Sequence, residues 1–504
     1  MPADWTTLRE LLLPEMSEAT RGRRERTLTE ALRNGIRVGR LAARTRLPSS
    51  RDLAAQLRLA RGTVTSAYAQ LVAEGYLIAV RGSGTSVAEI VDRRAEPRAA
   101  VDPQAPPGAW DLRPGLPALA AFPRTAWVSA VRAGLAELPD ADLGYPDPVG
   151  LHALRAELAA YLGRVRSVHA DPAEVIVTRG AAEGFSLMGA CLAGRGHREI
   201  AVENPGHPGQ PRLFAEVGLS AVPIPVDEDG LRVDLLAETT ARAVLVTPAH
   251  QFPLGVALAP HRRLALVEWA RRVNGLILED DYDAEHRYDR AAIGAMRSLA
   301  PDHVAYLGSV SKTLAPALRL GWLVPPPDVR AEVARVKLLR DLGSSTIDQA
   351  ALARLLRDGG YDRHLRRTRR LNRHRRDALV DALTRCLPDW RVIGVAAGLH
   401  LVAGLPDGVD DTELSEALAR AGVTVPPLTD YLRDPTRAAP FAGLVLGYAG
   451  LTPDRLRAAV RVAATVYRGR ATQAQAARDA GPEAATARKL PVCSSSTDTA
   501  PPMT

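Results

Sequence analysis

Lysine is almost absent from this chain: of 65 basic residues, only Lys312, Lys337 and Lys489 are lysines. Arginine stays protonated inside proteins, whereas a lysine amine can lose its proton and act as a nucleophile. A chain that uses Arg nearly everywhere is expected to keep Lys where the amine itself is needed. Lys312 lies in YLGSVSKTLAPALRLGW (306–322), three residues after Ser309 and seven before Arg319. An amine beside hydroxyl and guanidinium donors suits a phosphorylated aldehyde, with the amine forming an imine and the donors holding the phosphate. About thirty residues earlier, ILEDDYDAEHRY (277–288) places Asp280 at the end of a strand-like run. A carboxylate there can keep a pyridine nitrogen protonated, and Tyr282, two residues on, can reach a ring oxygen. Each pattern alone is ambiguous. Acidic pairs at strand ends are commonly solvated rims, and Ser-Lys pairs commonly lie on surfaces.

Strand-like runs alternate with helical ones from Trp110 to Gly469: EVIVT (174–178), REIAVE (198–203), ARAVLVTP (241–248), GLILEDD (275–281) and HVAYLGS (303–309). This alternation predicts an α/β domain over 110–469 with a largely parallel sheet. Residues 1–88 form a separate small module. Residues 89–109, rich in Pro, Ala and charge, read as a linker, and the Ala/Ser/Thr/Pro-rich stretch 470–504 as a disordered tail. The 504 residues, 46% hydrophobic and 24% charged, fit a soluble multidomain protein. No apolar run of about 18 residues is present, so no membrane span is expected. The N-terminus has no basic region and does not read as a secretory signal. Cys191, Cys386 and Cys493 are too scattered for a disulfide framework or a metal cluster, as in a reducing cytoplasm, and no metal site is expected.

Residues 1–88 carry 14 arginines against 8 acidic residues, a net +6 within a chain of +8. That is the footprint of a polyanion binder, although arginine is abundant throughout. SSRDLAAQL (49–57) reads as a capped helix with Leu53, Ala54 and Leu57 on one face. After the LRLA turn, RGTVTSAYAQLVAEG (61–75) forms a second helix ending at Gly75, with Val64, Ala67, Tyr68, Leu71 and Val72 toward a core. Arg61, Thr63 and Thr65 fall at its start and outer face, where N–H groups and a cation can meet phosphates or base edges. YLIAVRGSGTSV (76–87) reads as two strands around a Gly-Ser-Gly turn.

The ordered run LPSSRDLA, RGTVTSAYAQLVAEG and RGSGTSV resembles the GntR-type winged helix. The resemblance implies double-stranded operator DNA as partner and DNA contacts by Arg51, Arg61, Thr63, Arg81 and Gly82. Arg58 stands in the turn where many members have glycine. The larger domain resembles fold-type I aminotransferases over about 360 residues, and most closely the MocR subfamily, which joins that fold to a GntR helix-turn-helix. TPAHQFPLG (247–255) resembles that subfamily's TPxHQFPxG, in place of the Asn-Pro motif of true aminotransferases. By this resemblance pyridoxal 5′-phosphate is the cofactor, bound as an aldimine on Lys312, with Asp280 on the pyridinium nitrogen and Tyr282 at O3′. Either His250 or Gln251 adds a contact near O3′. Ser309, Arg319 and the N–H groups of Gly180, Ala181 and Ala182 in TRGAAEG hold the phosphate. Tyr145, in GYPDPVG, reaches the phosphate of a neighbouring subunit, which implies a homodimer with shared sites.

Three departures qualify the resemblance. TRGAAEG lacks the Gln pair often found after that glycine. His207 replaces the usual aromatic that stacks on the ring, and its charge would couple to pH. In GLVLGYAGL (443–451), Val445 aligns where aminotransferases carry the Arg that clamps a substrate carboxylate, and an apolar residue cannot replace a bidentate Arg–carboxylate pair. The expected function is a cytoplasmic, DNA-binding transcription regulator, not an enzyme, whose effector is pyridoxal phosphate itself, as in the branch that activates vitamin B6 synthesis (PdxR-like). The alternatives are an amino-acid- or amine-responsive regulator, or an aminotransferase carrying a DNA-binding arm. The segment YDRHLRRTRRLNRHRR (361–376), with eight arginines, reads as a solvated helix more readily than as a second DNA-facing surface.

Overall fold

The computed structural model describes residues 23–80, 84–89, 110–288, 293–433 and 441–479. The chain divides into two units, 1–103 and 104–504. In the first, helices α1 (Arg24–Arg37), α2 (Ser50–Leu57) and α3 (Arg61–Ala73) precede a hairpin of β1 (Leu77–Val80) and β2 (Gly84–Val87). The Ser49 side chain caps α2 by accepting from the Asp52 N–H. Leu28, Leu32, Leu53, Leu57, Val64 and Leu71 close the core. Val72 departs from the expected core face and is 36% exposed. At about 100° per residue it points about 80° away from Val64, whereas Leu71 falls within about 20°. Arg58 adopts the left-handed conformation, φ 52°, which explains why glycine is usual there: an L-residue pays roughly 1–2 kcal/mol for it.

The second unit begins with β3 (Trp110–Asp111), α4 (Arg124–Glu137) and α5 (His152–Arg166). Next come β4 (Ile176–Thr178), α6 (Ala181–Gly194), β5 (Glu199–Asn204), α7 (Gly209–Ala215), β6 (Ser220–Asp227), β7 (Gly230–Leu231) and β8 (Ala243–Val246). They are followed by α8 (Pro260–Val273), β9 (Leu276–Asp281), β10 (Val304–Ser309), β11 (Gly321–Val324), α9 (Pro327–Asp341) and α10 (Thr346–Arg357). Eight strands form one sheet in the order β4-β11-β10-β9-β8-β5-β6-β7. The run from β6 to β10 is parallel, and β11 enters antiparallel between β10 and β4. All residues of β8, β9 and β10 are buried, as expected when helices cover both faces of a parallel sheet.

A smaller subdomain follows: α11 (Gly360–Cys386), β12 (Arg391–Ile393), β13 (His400–Gly404), α12 (Asp411–Arg420), β14 (Val423–Thr424), β15 (Gly443–Gly447) and α13 (Pro453–Asp479). β12, β13 and β15 make an antiparallel sheet, and β14 pairs with β3, so the start of the unit is built into its end. Helix α13 runs ten residues past the expected limit at Gly469, because ATQAQAARD is composed largely of good helix formers. Residues 480–504 lie outside the described residues. In α11, arginines 363, 366, 367, 369, 370 and 373 are exposed while Tyr361, His364, Thr368, Asn372 and Arg375 form the buried stripe. Among the described residues no helix is long and apolar enough to cross a membrane.

Strand β9 ends in three consecutive buried acids. Asp281 accepts from Arg166 at 2.6 and 3.1 Å and from the Tyr306 hydroxyl, with the ion pair almost wholly out of water. Glu279 accepts the Met296 and Arg297 N–H groups at 2.8 and 3.1 Å. Removing one partner of such a pair strands the other charge. Arg166→Met is therefore expected to destabilise the large unit by about 3–5 kcal/mol, read as a lowered guanidinium midpoint; an unchanged midpoint would contradict this account.

Candidate functional site

A cleft of about 690 Å³ opens beyond the carboxyl ends of the central strands, where open α/β sheets place ligands. One end is built for an anion. Gly180 caps α6 at φ 87°, leaving the first N–H groups of that helix without helical acceptors, and Ala181 and Ala182 line the cleft. Arg319, itself left-handed at φ 50°, donates to the Arg179 carbonyl and lies against Gly180. A Cβ on Gly180 would fall 3.1 Å from that guanidinium, a tight contact, and the positive φ favours glycine there. Ser309, at the end of β10, completes this end together with Ser311.

Lys312 and Asp280 occupy the middle. The Lys312 amine donates to the Gly115 carbonyl; burial lowers its pKa, and Asp280 and Asp283 oppose that shift. Asp280 is buried and pushed up to about 7, first by desolvation and then by the neighbouring Asp281 charge. Its Oδ2 accepts from Gln210 at 3.0 Å, whereas its Oδ1 is buried without a partner. An unsatisfied buried acceptor is costly, and a protonated ring nitrogen in the cleft would satisfy it. The residues present therefore fit pyridoxal phosphate.

Tyr282 also lines the cleft. Its hydroxyl lies 3.1 Å from His250 Nδ1. Of the two residues left open by the sequence, it is His250 that meets Tyr282. Gln251 ties its loop to the segment after β5, donating to Pro205 and Phe252 carbonyls at 2.9 and 2.7 Å and accepting from the Leu254 N–H. His207 lines the cleft with its ring 5.6 Å from Phe252. Burial, and then Lys312, lower its pKa, which favours the neutral ring. Tyr145 is 90% exposed and does not line the cleft of its own chain. Val445 packs among Leu254, Val402, Leu428 and Tyr431, outside the cleft.

Four contributors escaped the sequence reading. Gln210 and Asp283 hold Asp280 and His250; His400 lines the cleft from β13; Arg113 lines it from the segment after β3, bonded to Asp111 at 3.0 and 2.7 Å. Asp283 was in view within DYDAEH, but a carboxylate next to a strand end carries no mark of its partner. His400 is 150 residues from His250, and no spacing rule joins them. In the first unit, Arg51 and Arg61 are exposed and Thr63 is half-buried at the start of α3; Arg81 and Gly82 lie outside the described residues.

Residues 24–87 match the bacterial regulatory proteins of the gntR family, and residues 118–477 match class I and II aminotransferases. The HTH-type pyridoxine biosynthesis transcriptional regulator PdxR of Corynebacterium glutamicum is 35% identical over 85% of this chain and 93% of its own length. The probable rhizopine catabolism regulatory protein MocR of Rhizobium meliloti is 34% identical, covering 86% and 91%. Among solved structures, an archaeal alanine:glyoxylate aminotransferase superposes with a TM-score of 0.66 at 25% identity, over 71% of this chain and 91% of that one. The chain thus belongs to the MocR-type transcription regulators, in which a GntR winged helix is fused to an aminotransferase-like domain. Its DNA-reading half and its fold-type I half are both as the sequence resemblance implied.

The raised pKa of Asp280 has a thermodynamic consequence. Between about 3.8 and 7 the folded state holds a proton that the unfolded state has lost, so this group makes stability fall as pH rises through that window. In ligand-free protein, Asp280→Asn should be more stable than wild type at pH 8, by at most about 4 kcal/mol, with the gap shrinking toward pH 5. Thermal melts across that range check this, and a pH-independent gap would refute it.

Proposed function

We propose that this regulator binds pyridoxal 5′-phosphate covalently at Lys312 and that the cofactor is itself the effector, so that the protein controls vitamin B6 supply. The observation that carries the reading is the convergence of three things in one cleft: a half-buried amine, a carboxylate oxygen without a partner, and a helix end suited to an anion. The name of the Corynebacterium relative, a pyridoxine biosynthesis regulator, supports the same reading.

Bound pyridoxal phosphate supplies an aldehyde that condenses with an amine, releasing water, and a ring that withdraws electrons from the attached atoms. Asp280 would hold the ring nitrogen through Oδ1 while Gln210 fixes the other carboxylate oxygen. Arg319, Ser309 and the N–H groups at Gly180, Ala181 and Ala182 would take the phosphate, Tyr282 would donate to the ring's phenolic oxygen, and His207 would lie against the ring. Tyr145, exposed in its own chain, would complete the phosphate site of a partner in a homodimer, the common assembly of the aminotransferase-like fold. The relatives named as regulators and the buried position of Val445 support a sensor, not a transaminase, acting in the cytoplasm on operator DNA. A second reading, an amine or amino-acid effector, is favoured by Arg113, a cation in the cleft to which a carboxylate could pair.

Purified protein should show a visible band with pyridoxal phosphate that borohydride reduces onto Lys312, and Lys312→Ala should lack it. Adding the cofactor should shift operator affinity of wild type and leave Lys312→Ala unmoved; equal responses would reject the effector role. A spectral change with a single amino acid or amine would favour the second reading. Arg61→Ala should weaken operator binding and reduce the log–log salt slope by about 1; an unchanged slope would remove Arg61 from the interface.

A further inference from the structure

Behind Tyr282 lies a polar cluster that the phosphate, ring nitrogen and amine contacts do not use. His250 Nδ1 is 2.9 Å from Asp283 Oδ2 and 3.1 Å from the Tyr282 oxygen, and both His250 and Asp283 are buried. A carboxylate accepts, so the proton on His250 resides at Nδ1, and that N–H lies between two oxygens. His400 packs its ring 5.1 Å from that of His250 and donates through Nε2 to the Pro253 carbonyl at 3.0 Å. The backbone seals the cluster: a Cβ at Gly398, φ 73°, would fall 2.6 Å from Asp283 Oδ2. The Gly398 carbonyl is itself pinned by the hydroxyls of Tyr288 and Tyr448 at 2.7 and 2.6 Å.

A Tyr282 oxygen that faces an N–H cannot give its own proton to that nitrogen. We propose that Asp283 and His250 form a positioning dyad that turns the Tyr282 hydroxyl into a donor aimed into the cleft, at the phenolic oxygen of the bound ring. Asp283 fixes the His250 tautomer, His250 orients Tyr282, and His400 with Gly398 keeps water from competing. Burial, and then the Asp283 charge, raise the Tyr282 pKa, so the hydroxyl keeps its proton; Asp283 is also within reach of that hydroxyl, a competing acceptor that His250 engages by donating to it. In Asp283→Asn the carboxylate that holds the proton on Nδ1 is lost; with that proton on Nε2, Nδ1 becomes an acceptor and draws the Tyr282 hydroxyl, as its donor, away from the cleft.

This inference rests on pyridoxal phosphate binding, and its test separates the two. Full-length wild type, Tyr282→Phe, Asp283→Asn and the double variant are loaded with pyridoxal phosphate, and the visible bands are compared. Asp283→Asn should change the ratio of the cofactor's protonated and unprotonated bands by about tenfold, in the direction of Tyr282→Phe. The double variant should match Tyr282→Phe alone. His250→Phe reads the same effect if Asp283→Asn does not fold. Bands equal to wild type in Asp283→Asn or His250→Phe, or an Asp283→Asn effect that persists in the Tyr282→Phe background, would overturn the dyad. Absence of any band in wild type would instead overturn the cofactor reading, and the dyad with it.

Discussion

The structure turns on a single constraint: a central strand of a fully buried sheet ends in Glu279, Asp280 and Asp281, and each carboxylate needs a partner. Strand alternation sends Glu279 and Asp281 to one face and Asp280 to the other. On the first face, backbone N–H groups, Arg166 and Tyr306 satisfy them. On the second, Gln210 reaches one oxygen of Asp280 and the other remains open toward the cleft. Desolvation raises Glu279 and Asp280 each to about 7. The fold thus tolerates an incompletely paired acid at the one place where a cationic ring can complete it, a local conflict of the kind that marks a functional site.

The lysine economy of the sequence acquires a physical meaning in two places. Lys312 lies in the cleft, partly desolvated, where an amine that can shed its proton is chemically useful. Lys337 is fully buried, bonded to Asp341 at 2.8 Å and Ser344 at 3.0 Å and near Glu183, in the ionic group behind the first turn of α6. A compact ammonium with three donors fits that space, where a planar guanidinium demands a different geometry. Thr313, next to Lys312, is tied to α11: His364 donates to the Thr313 carbonyl at 2.8 Å, and Tyr361 meets the Thr313 hydroxyl. The helix with the seven exposed arginines is therefore packed directly against the residue that follows Lys312. Both faces of α11 were encoded in one arginine-rich run, and only packing sorted them, with Arg375 inside and bonded to the Ala449 carbonyl.

Much was legible in advance wherever the signal was local. The capped helix at Ser49, helix α3, the hairpin strands and five strands of the large sheet all follow from patterns within at most about fifteen residues. Misreadings came where a local pattern met a tertiary boundary. Val72 sits at the margin of its helix's apolar arc, and the end of α13 was hidden by a composition that suits both helix and tail. The choice between His250 and Gln251 was unreadable because both are polar residues of one loop. Their different fates depend on the carbonyls of Pro205 and Phe252 and on the hydroxyl of Tyr282, brought together from separate strands.

The sequence by itself determined the two modules, their order, the class to which the chain belongs and the short motifs that contain Lys312, Asp280, Ser309 and Arg319. Each of these is written in neighbouring residues, whose spacing along a helix or strand translates directly into a shared face. Tertiary structure alone decided which groups share a proton or a charge. Gln210 on Asp280, Asp283 behind His250, His400 across from it and Arg113 at the rim all come from distant segments. Hydrogen bonds form within about 3 Å, and only the folded chain brings atoms that close.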